Sequence, residues 1–461
     1  MTERTETGAE DEAVTEAAAE AVARRDLAVR AAVVQGIVGE RKPLAGLLDV
    51  TGIRRATRAL QSAFAAVVPD PALVQHTFAV KATPLVPVLR LLYEDKIGAE
   101  VASAGELALA RAAGVRPAQI VLDSPAKTVP ELREALDAGV MVNADNALEL
   151  ERIDALRAEL PDSASTFGLR VNPQTGTGTI AATSTAGATS KFGVPLRDEG
   201  AREAVLAAFA QRPWLTRLHA HSGSQGLELA ALAEGVRVVH ELAEEINAAA
   251  GRPQVDTVDI GGGLPVDFTS DRALPSHAQY AALLKETVPG LFEGRYTVIT
   301  EFGRSLLAKH GLALARVEYT KTSGGRSVAL THAGVQIAVR TVYAPGSWPL
   351  RIAAYDAQGR PKEGEEREQD IAGPACFAGD LLAERRALPP LEPGDWVAVL
   401  DTGAYGFAHH YSYNSLTRPG VHGFAAGPEG VRFATVRAAQ TLAEIVAESG
   451  GEHTRALTDD L

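Results

Sequence analysis

From about residue 44 onward, short aliphatic and β-branched runs alternate with longer stretches whose apolar positions recur every three to four residues. The short runs predict strands at Thr77–Lys81, Gly98–Ala102, Ile120–Asp123, Val140–Ala144, Phe167–Asn172, Arg217–His221, Thr257–Ile260 and Thr297–Glu301. Between them, Pro84–Glu94, Gly105–Ala113, Val129–Ala138, Ala147–Glu159, Glu199–Ala210 and Ala230–Ala249 have helical period. A strand followed by a helix, repeated this often over about 250 residues, fits a parallel (β/α)8 TIM barrel better than an open doubly wound sheet.

The rhythm changes after about residue 308. Helical periodicity fades, and Ala315–Thr320, Arg326–Leu330, Leu350–Ala354 and Asp395–Leu400 read as strands separated by Pro/Gly turns. The chain therefore divides into an N-terminal helical segment at 1–43, a barrel at 44–307 and a C-terminal β domain at 308–461. Residues 1 to about 12 are acidic and read as disordered, and 13–38 as one or two Ala/Arg/Glu helices. The segment from Gln174 to Ser190 is low in complexity and leaves the fifth strand on the face where barrels carry their sites. A lid and a mobile surface insertion are equally open readings of it.

Composition narrows the function. A net charge of −13 excludes an interface built for nucleic acid or an anionic membrane surface. No apolar run reaches the length of a membrane span, no signal segment opens the chain, and the single cysteine, Cys376, leaves no intramolecular disulfide. A cytoplasmic protein is the expectation.

The chemistry gathers at predicted strand ends. Lys81 closes an apolar strand, where desolvation favours the neutral, nucleophilic amine. Gly261-Gly262-Gly263 follows Val258-Asp259-Ile260, and three glycines let backbone N–H groups approach an anion. His219 to Gln225 forms a second such turn, in which Ser224 offers a hydroxyl and His221 a flat ring. Glu301 can hold a pyridine nitrogen protonated, and Arg304 can grip a phosphate in forked geometry. Each feature alone is weak. Together they suit an aldehyde-bearing, phosphorylated aromatic cofactor, pyridoxal 5'-phosphate, and no metal. Glu106 reads first as a capping partner of Ser103, and Arg170, a charge inside an apolar strand, needs a partner.

With these pieces in place, the chain from about 42 to 424 resembles the pyridoxal-phosphate decarboxylases of the alanine-racemase-like fold (fold type III), and most closely the diaminopimelate branch. Phe78 to Lys81, Glu100 to Glu106, Gly168 to Pro173, Ser190 to Gly193, His219 to Gln225, Gly261 to Gly263, Glu301 to Arg304, Cys376 to Asp380 and Asp401 to Phe407 carry the likeness. The resemblance implies that Lys81 holds the cofactor aldehyde and that His221 stacks on the ring. It also implies that Ser224, Gly261–Gly263, Arg304 and Tyr405 bind phosphate, with Glu106 and Arg170 supporting. Cys376 and Asp380 resemble residues that cross a head-to-tail homodimer to complete shared active sites.

The departures fall in the substrate region. Phe377 stands where the family has a glutamate, and Arg340 and Tyr343 keep a distal-carboxylate pair at altered spacing, with Thr341 in place of proline. The expected activity is α-decarboxylation of an L-amino acid, with Cys376 as a proton donor. A racemase or epimerase of the same fold, a decarboxylase of a specialised amino acid and a non-catalytic cofactor binder are the alternatives.

Overall fold

The computed structural model of the protein describes residues 3–459 and divides into two compact units. The first strand, β1 (Leu44–Asp49), opens the β-rich unit, and the chain then builds the barrel. Its strands are β2 (Val74–Ala79), β3 (Gly98–Val101), β4 (Ile120–Leu122), β5 (Met141–Ala144), β6 (Phe167–Asn172), β8 (Leu215–His219), β9 (Thr257–Asp259) and β10 (Thr297–Phe302). A two-residue strand, β7 (Val194–Pro195), pairs only with the end of β6. The eight long strands are all parallel in the order β5-β4-β3-β2-β10-β9-β8-β6, and β5 pairs with β6 to close the ring.

Alternation within each strand sorts side chains between the outer helices and the barrel interior. Val121, Met141 and Ile299 come from β4, β5 and β10, yet pack together, so these positions point inward. Two residues beyond Val121, Met141 and Ile299 stand Asp123, Asn143 and Glu301, one layer nearer the strand C-termini. The other face meets helices: Phe302 packs against Phe64, His277 and Tyr280. Local signals fix the helices, as where Thr128 and Glu131 form a capping box on Val129–Ala138 and Gly139 ends it at φ 74°.

His76 lies on this outer layer, its ring edge-on to Phe64 and its Nδ1 2.8 Å from the Thr300 hydroxyl. Burial lowers its pKa from 6.5 to about 4. A depressed folded pKa gives stability that is complete above the unfolded value and lost as pH falls through the folded one. Between pH 7 and pH 5 the His76 contribution should fall by roughly 2 kcal/mol. Chemical denaturation of His76→Phe at the two pH values should show a correspondingly shallower acid loss than the unsubstituted chain.

The other unit comprises residues up to Gly52, Phe268–Arg272 and Ala308–Leu461. Its later strands are β11 (Gly311–Ser323), β12 (Arg326–Thr331), β13 (Ile352–Tyr355), β14 (Arg367–Ala372), β15 (Leu381–Leu388), β16 (Trp396–Val399), β17 (Gly420–Gly427) and β18 (Gly430–Arg437). β1 lies between β11, antiparallel, and β17, parallel. This corrects the expected boundary at residue 44: every residue of Leu44–Asp49 after the first is buried and belongs to the β unit, because its apolar run is covered by Ala28, Val29 and Ala32. Disorder up to residue 12 is also corrected from Glu3 onward, since Glu3–Val34 is one helix, as its alanine content favours. Among the described residues no helix is long and apolar enough to cross a membrane.

Candidate active site

Lys81 sits just past β2, in a single 3₁₀ turn Val80–Ala82 rather than on the strand itself. Its Nζ lies 2.7 Å from Oε2 of Glu100, an inward residue of β3 with no accessible surface. Burial raises the pKa of Glu100, while the Lys81 charge opposes that rise. Burial of Glu100 thus lowers the cost of moving the ammonium proton onto its carboxylate.

Glu301 is the inward residue near the end of β10 and is 2% exposed. Its Oε1 is buried without a hydrogen-bond partner. Burial, and then the negative charge of Asp259, push its pKa well up. A buried acceptor in this position is completed by a protonated ring nitrogen, so the residues present fit a pyridine-type cofactor.

His221 follows β8 by two residues. The Gly262 N–H donates to its Nδ1 at 3.2 Å, which leaves the ring proton on Nε2. Burial, then the positive charge of Lys81, hold its pKa well below 6.5, so the ring is neutral and flat. The glycine turn does more than cradle an anion. Gly261 N–H donates to Asp259 Oδ1 at 3.0 Å, and a Cβ at Gly262 would come within 2.3 Å of the Glu301 carbonyl oxygen. The glycines therefore clamp His221 and β10 together. Gly263, at φ 100°, requires the left-handed region that only glycine adopts freely.

Arg304 begins the turn after β10 and donates to the Ser224 hydroxyl at 3.3 Å. The two expected phosphate ligands are thus adjacent. The Gln174–Ser190 segment is neither free nor structureless: Thr179 N–H bonds Gly226 carbonyl, Ala186 N–H bonds Ser222 carbonyl, and the Thr185 hydroxyl bonds the His221 carbonyl. It is strapped onto the His221–Gly226 turn.

Arg170 finds its partner in Asp123, at 3.4 Å, and its guanidinium lies 4.4 Å from the Phe192 ring centroid. Glu106 is engaged in the helix start: its Oε2 accepts from Ala102 N–H at 2.8 Å, and its own N–H donates to Ser103. This is the capping reading of Glu106. Inward charged groups that escaped the sequence reading as site residues include Glu100, Asp123, Arg217, His219 and Asp259.

The remaining candidates belong to the β unit. Cys376 is exposed on the β14–β15 loop, its N–H donating to Asn414 Oδ1 at 2.6 Å. Asp380 is buried and accepts from Val335 and Ala375 N–H groups, both at 2.7 Å, so its carboxylate organises that loop. Phe377 stacks on Tyr343, 5.9 Å apart at 10°, with Tyr413 edge-on. Arg340 lies over the Trp348 and Tyr405 rings at 5.0 and 4.7 Å.

Comparison with known proteins agrees with this chemistry. Residues 50–308 match the family described as pyridoxal-dependent decarboxylase, pyridoxal binding domain. A diaminopimelate decarboxylase of Aquifex aeolicus is 32% identical over 347 residues, 74% of this chain and 78% of that protein. One from Pseudomonas aeruginosa is 34% identical over 346 residues, covering 74% of this chain and 79% of its own. The crystal structure of Helicobacter pylori diaminopimelate decarboxylase complexed with L-lysine superposes with a TM-score of 0.77 at 25% identity, over 89% of this chain and 98% of that one. Taken with the lysine, the orphaned carboxylate and the glycine clamp in one parallel barrel, these likenesses establish that the chain belongs to the pyridoxal-dependent decarboxylases, a carboxy-lyase of diaminopimelate-decarboxylase type whose cofactor is pyridoxal phosphate.

Proposed function

We propose that the chain removes the α-carboxylate of an L-amino acid whose far end is not a bare ammonium. The observation that carries the substrate reading is the Tyr343–Phe377 stack, extended by Tyr411 and Tyr413, at the position where the family resemblance implies an acidic contact. Asp380, the nearby carboxylate, already accepts two backbone N–H groups. An ammonium brought against these rings would lose water without gaining an anion, which is costly. A substrate with an acylated or otherwise uncharged far end meets no such cost.

Pyridoxal phosphate, when bound, supplies a ring that accepts the electron pair left as carbon dioxide departs. The chain's residues would divide the remaining work. Lys81 would bind the aldehyde carbon, with Glu100 taking the ammonium proton. Glu301 would hold the ring nitrogen protonated, and the neutral His221 would offer its face to the ring. Ser224, Arg304 and the glycine turn would hold the phosphate. The exposed Cys376 thiol would return a proton to the α-carbon, reaching a neighbouring subunit in a homodimer with shared sites.

Carbon dioxide release from diaminopimelate, lysine, ornithine, arginine and N-acylated diamino acids tests this. An N-acylated substrate is expected to exceed diaminopimelate in kcat/KM, and Phe377→Glu is expected to raise diaminopimelate turnover by about 10- to 100-fold, the worth of one charged hydrogen bond. Best activity on diaminopimelate, unaltered by Phe377→Glu, would refute the substrate assignment.

A further inference from the structure

His219 is the inward residue at the end of β8, two positions from Arg217, and has no accessible surface. Its Nε2 lies 2.9 Å from Asp123 Oδ2 and its Nδ1 3.3 Å from Asp259 Oδ2. Neither ring nitrogen has a well-aligned hydrogen-bond acceptor, so these contacts are ion pairs by distance. Donor atoms of Asp123, His219 and Glu301 all lie within 4.8 Å of one another. The imidazole therefore stands among three carboxylates, those of Asp123, Asp259 and Glu301.

Charge balance tells what it does there. Glu100, Asp123, Asp259 and Glu301 are four buried carboxylates of the barrel interior. Lys81 pairs with Glu100, Arg170 with Asp123, and the buried Arg217 guanidinium is attracted to Asp259 and Glu301. The Arg217 guanidinium donates to Asn143, Thr166 and Val142 rather than to a carboxylate, which leaves the His219 ring as the cation in contact with Asp259, and buried charge without a counter-charge is expensive. The surrounding carboxylates, Asp123 first, overcome burial and hold the His219 pKa well above 6.5, whereas the neighbouring His221 is kept neutral.

We propose that His219 is a positioning residue, a permanent buried imidazolium that compensates Asp123 and Asp259 so that Glu301 stays ionised beneath the cofactor nitrogen. It touches no reacting atom in this scheme and acts through Glu301. The proposal rests on Lys81 and Glu301 holding the cofactor as described above.

The test is a pH titration of the visible absorbance of the lysine-bound cofactor in the holoenzyme. Removing a positive charge from a low-dielectric site favours the protonated, positively charged form of the chromophore. His219→Gln should raise the midpoint by roughly one pH unit, and Asp123→Asn should lower it by a similar amount. The double variant should return close to the unsubstituted value. Shifts of the same sign in both single variants, as from simple loosening of the barrel, would overturn the proposal, as would no shift in either. If His219→Gln does not fold, the 15N chemical shifts of the His219 ring in the unsubstituted holoenzyme at about pH 8 decide: two protonated ring nitrogens support the imidazolium and a neutral ring contradicts it. One divalent metal ion per chain in the purified holoenzyme would also overturn it, since the ion would then supply the missing charge. Absence of the visible band in the unsubstituted protein would instead contradict the cofactor assignment of Lys81.

Discussion

Lys81→Ala is expected to lose the visible absorbance of bound cofactor and to lower decarboxylation on the order of 10⁴-fold or more, because the amine proposed to bind and orient the aldehyde is gone. The geometry makes this residue hard to replace. The turn Val80–Ala82 is closed by a hydrogen bond from Thr83 N–H to the Val80 carbonyl, and the amine is fixed 2.7 Å from a fully buried carboxylate. Removing it also strips Glu100 of its cation, but the Lys81 side chain is 42% exposed, so the cost is well below that of breaking a fully buried pair, and less still if the carboxylate takes a proton. Burial already moves Glu100 in that direction. Lys81→Arg separates the two effects. It keeps the positive charge beside Glu100, so stability should be largely retained, while absorbance and activity should still vanish. Activity that survives both substitutions would remove Lys81 from the chemistry.

The second large effect is expected at Glu301. Glu301→Gln preserves shape but cannot hold the ring nitrogen protonated, and kcat should fall by about 10²- to 10³-fold, the scale of losing one preorganised electrostatic partner. Stability without cofactor should move the other way. Burial first, and then the Asp259 charge, raise the Glu301 pKa well above its ordinary value. A carboxyl with a raised folded pKa contributes most at low pH and loses that contribution as pH rises above about 4.5 toward the folded value. The amide has no such loss. Cofactor-free Glu301→Gln should therefore be more stable than the unsubstituted chain, by a margin that grows between pH 5 and pH 8. Equal stability at both pH values would mean that Glu301 is not the strained carboxylate described here.

The alternating pattern from residue 77 to 301 located all eight barrel strands, because each is a short, largely buried run and most lie next to a stretch of helical period; it missed the helix His277–Thr287. It did not assign Leu44–Asp49, whose apolar run looks like a barrel strand but is claimed by partners about 270 and 370 residues away. Nor did it find β14, β15, β17 and β18, since Arg367–Ala372 and Leu381–Leu388 carry charges on their exposed halves that mask the alternation. At the site, residues with familiar chemistry stood out: a lysine, a Glu–Arg pair, a glycine run. Glu100, Asp123, His219 and Asp259 did not, although a signal was present. Each is ionisable inside, or just past, an otherwise apolar strand, and in a barrel such residues at every second position converge on one interior layer. Arg170 raised that question, and Asp123 proved to be its partner. Neighbours on other strands cannot be read from the period of one.

The most direct measurement is borohydride reduction of the holoenzyme, which fixes the cofactor to whichever amine bears it, followed by peptide mass mapping. The pyridoxyl mass should appear on the peptide containing Phe78-Ala79-Val80-Lys81 and on no other. Its attachment to a different lysine, or its absence from every peptide of an active enzyme, would contradict the assignment of the barrel site to this chemistry.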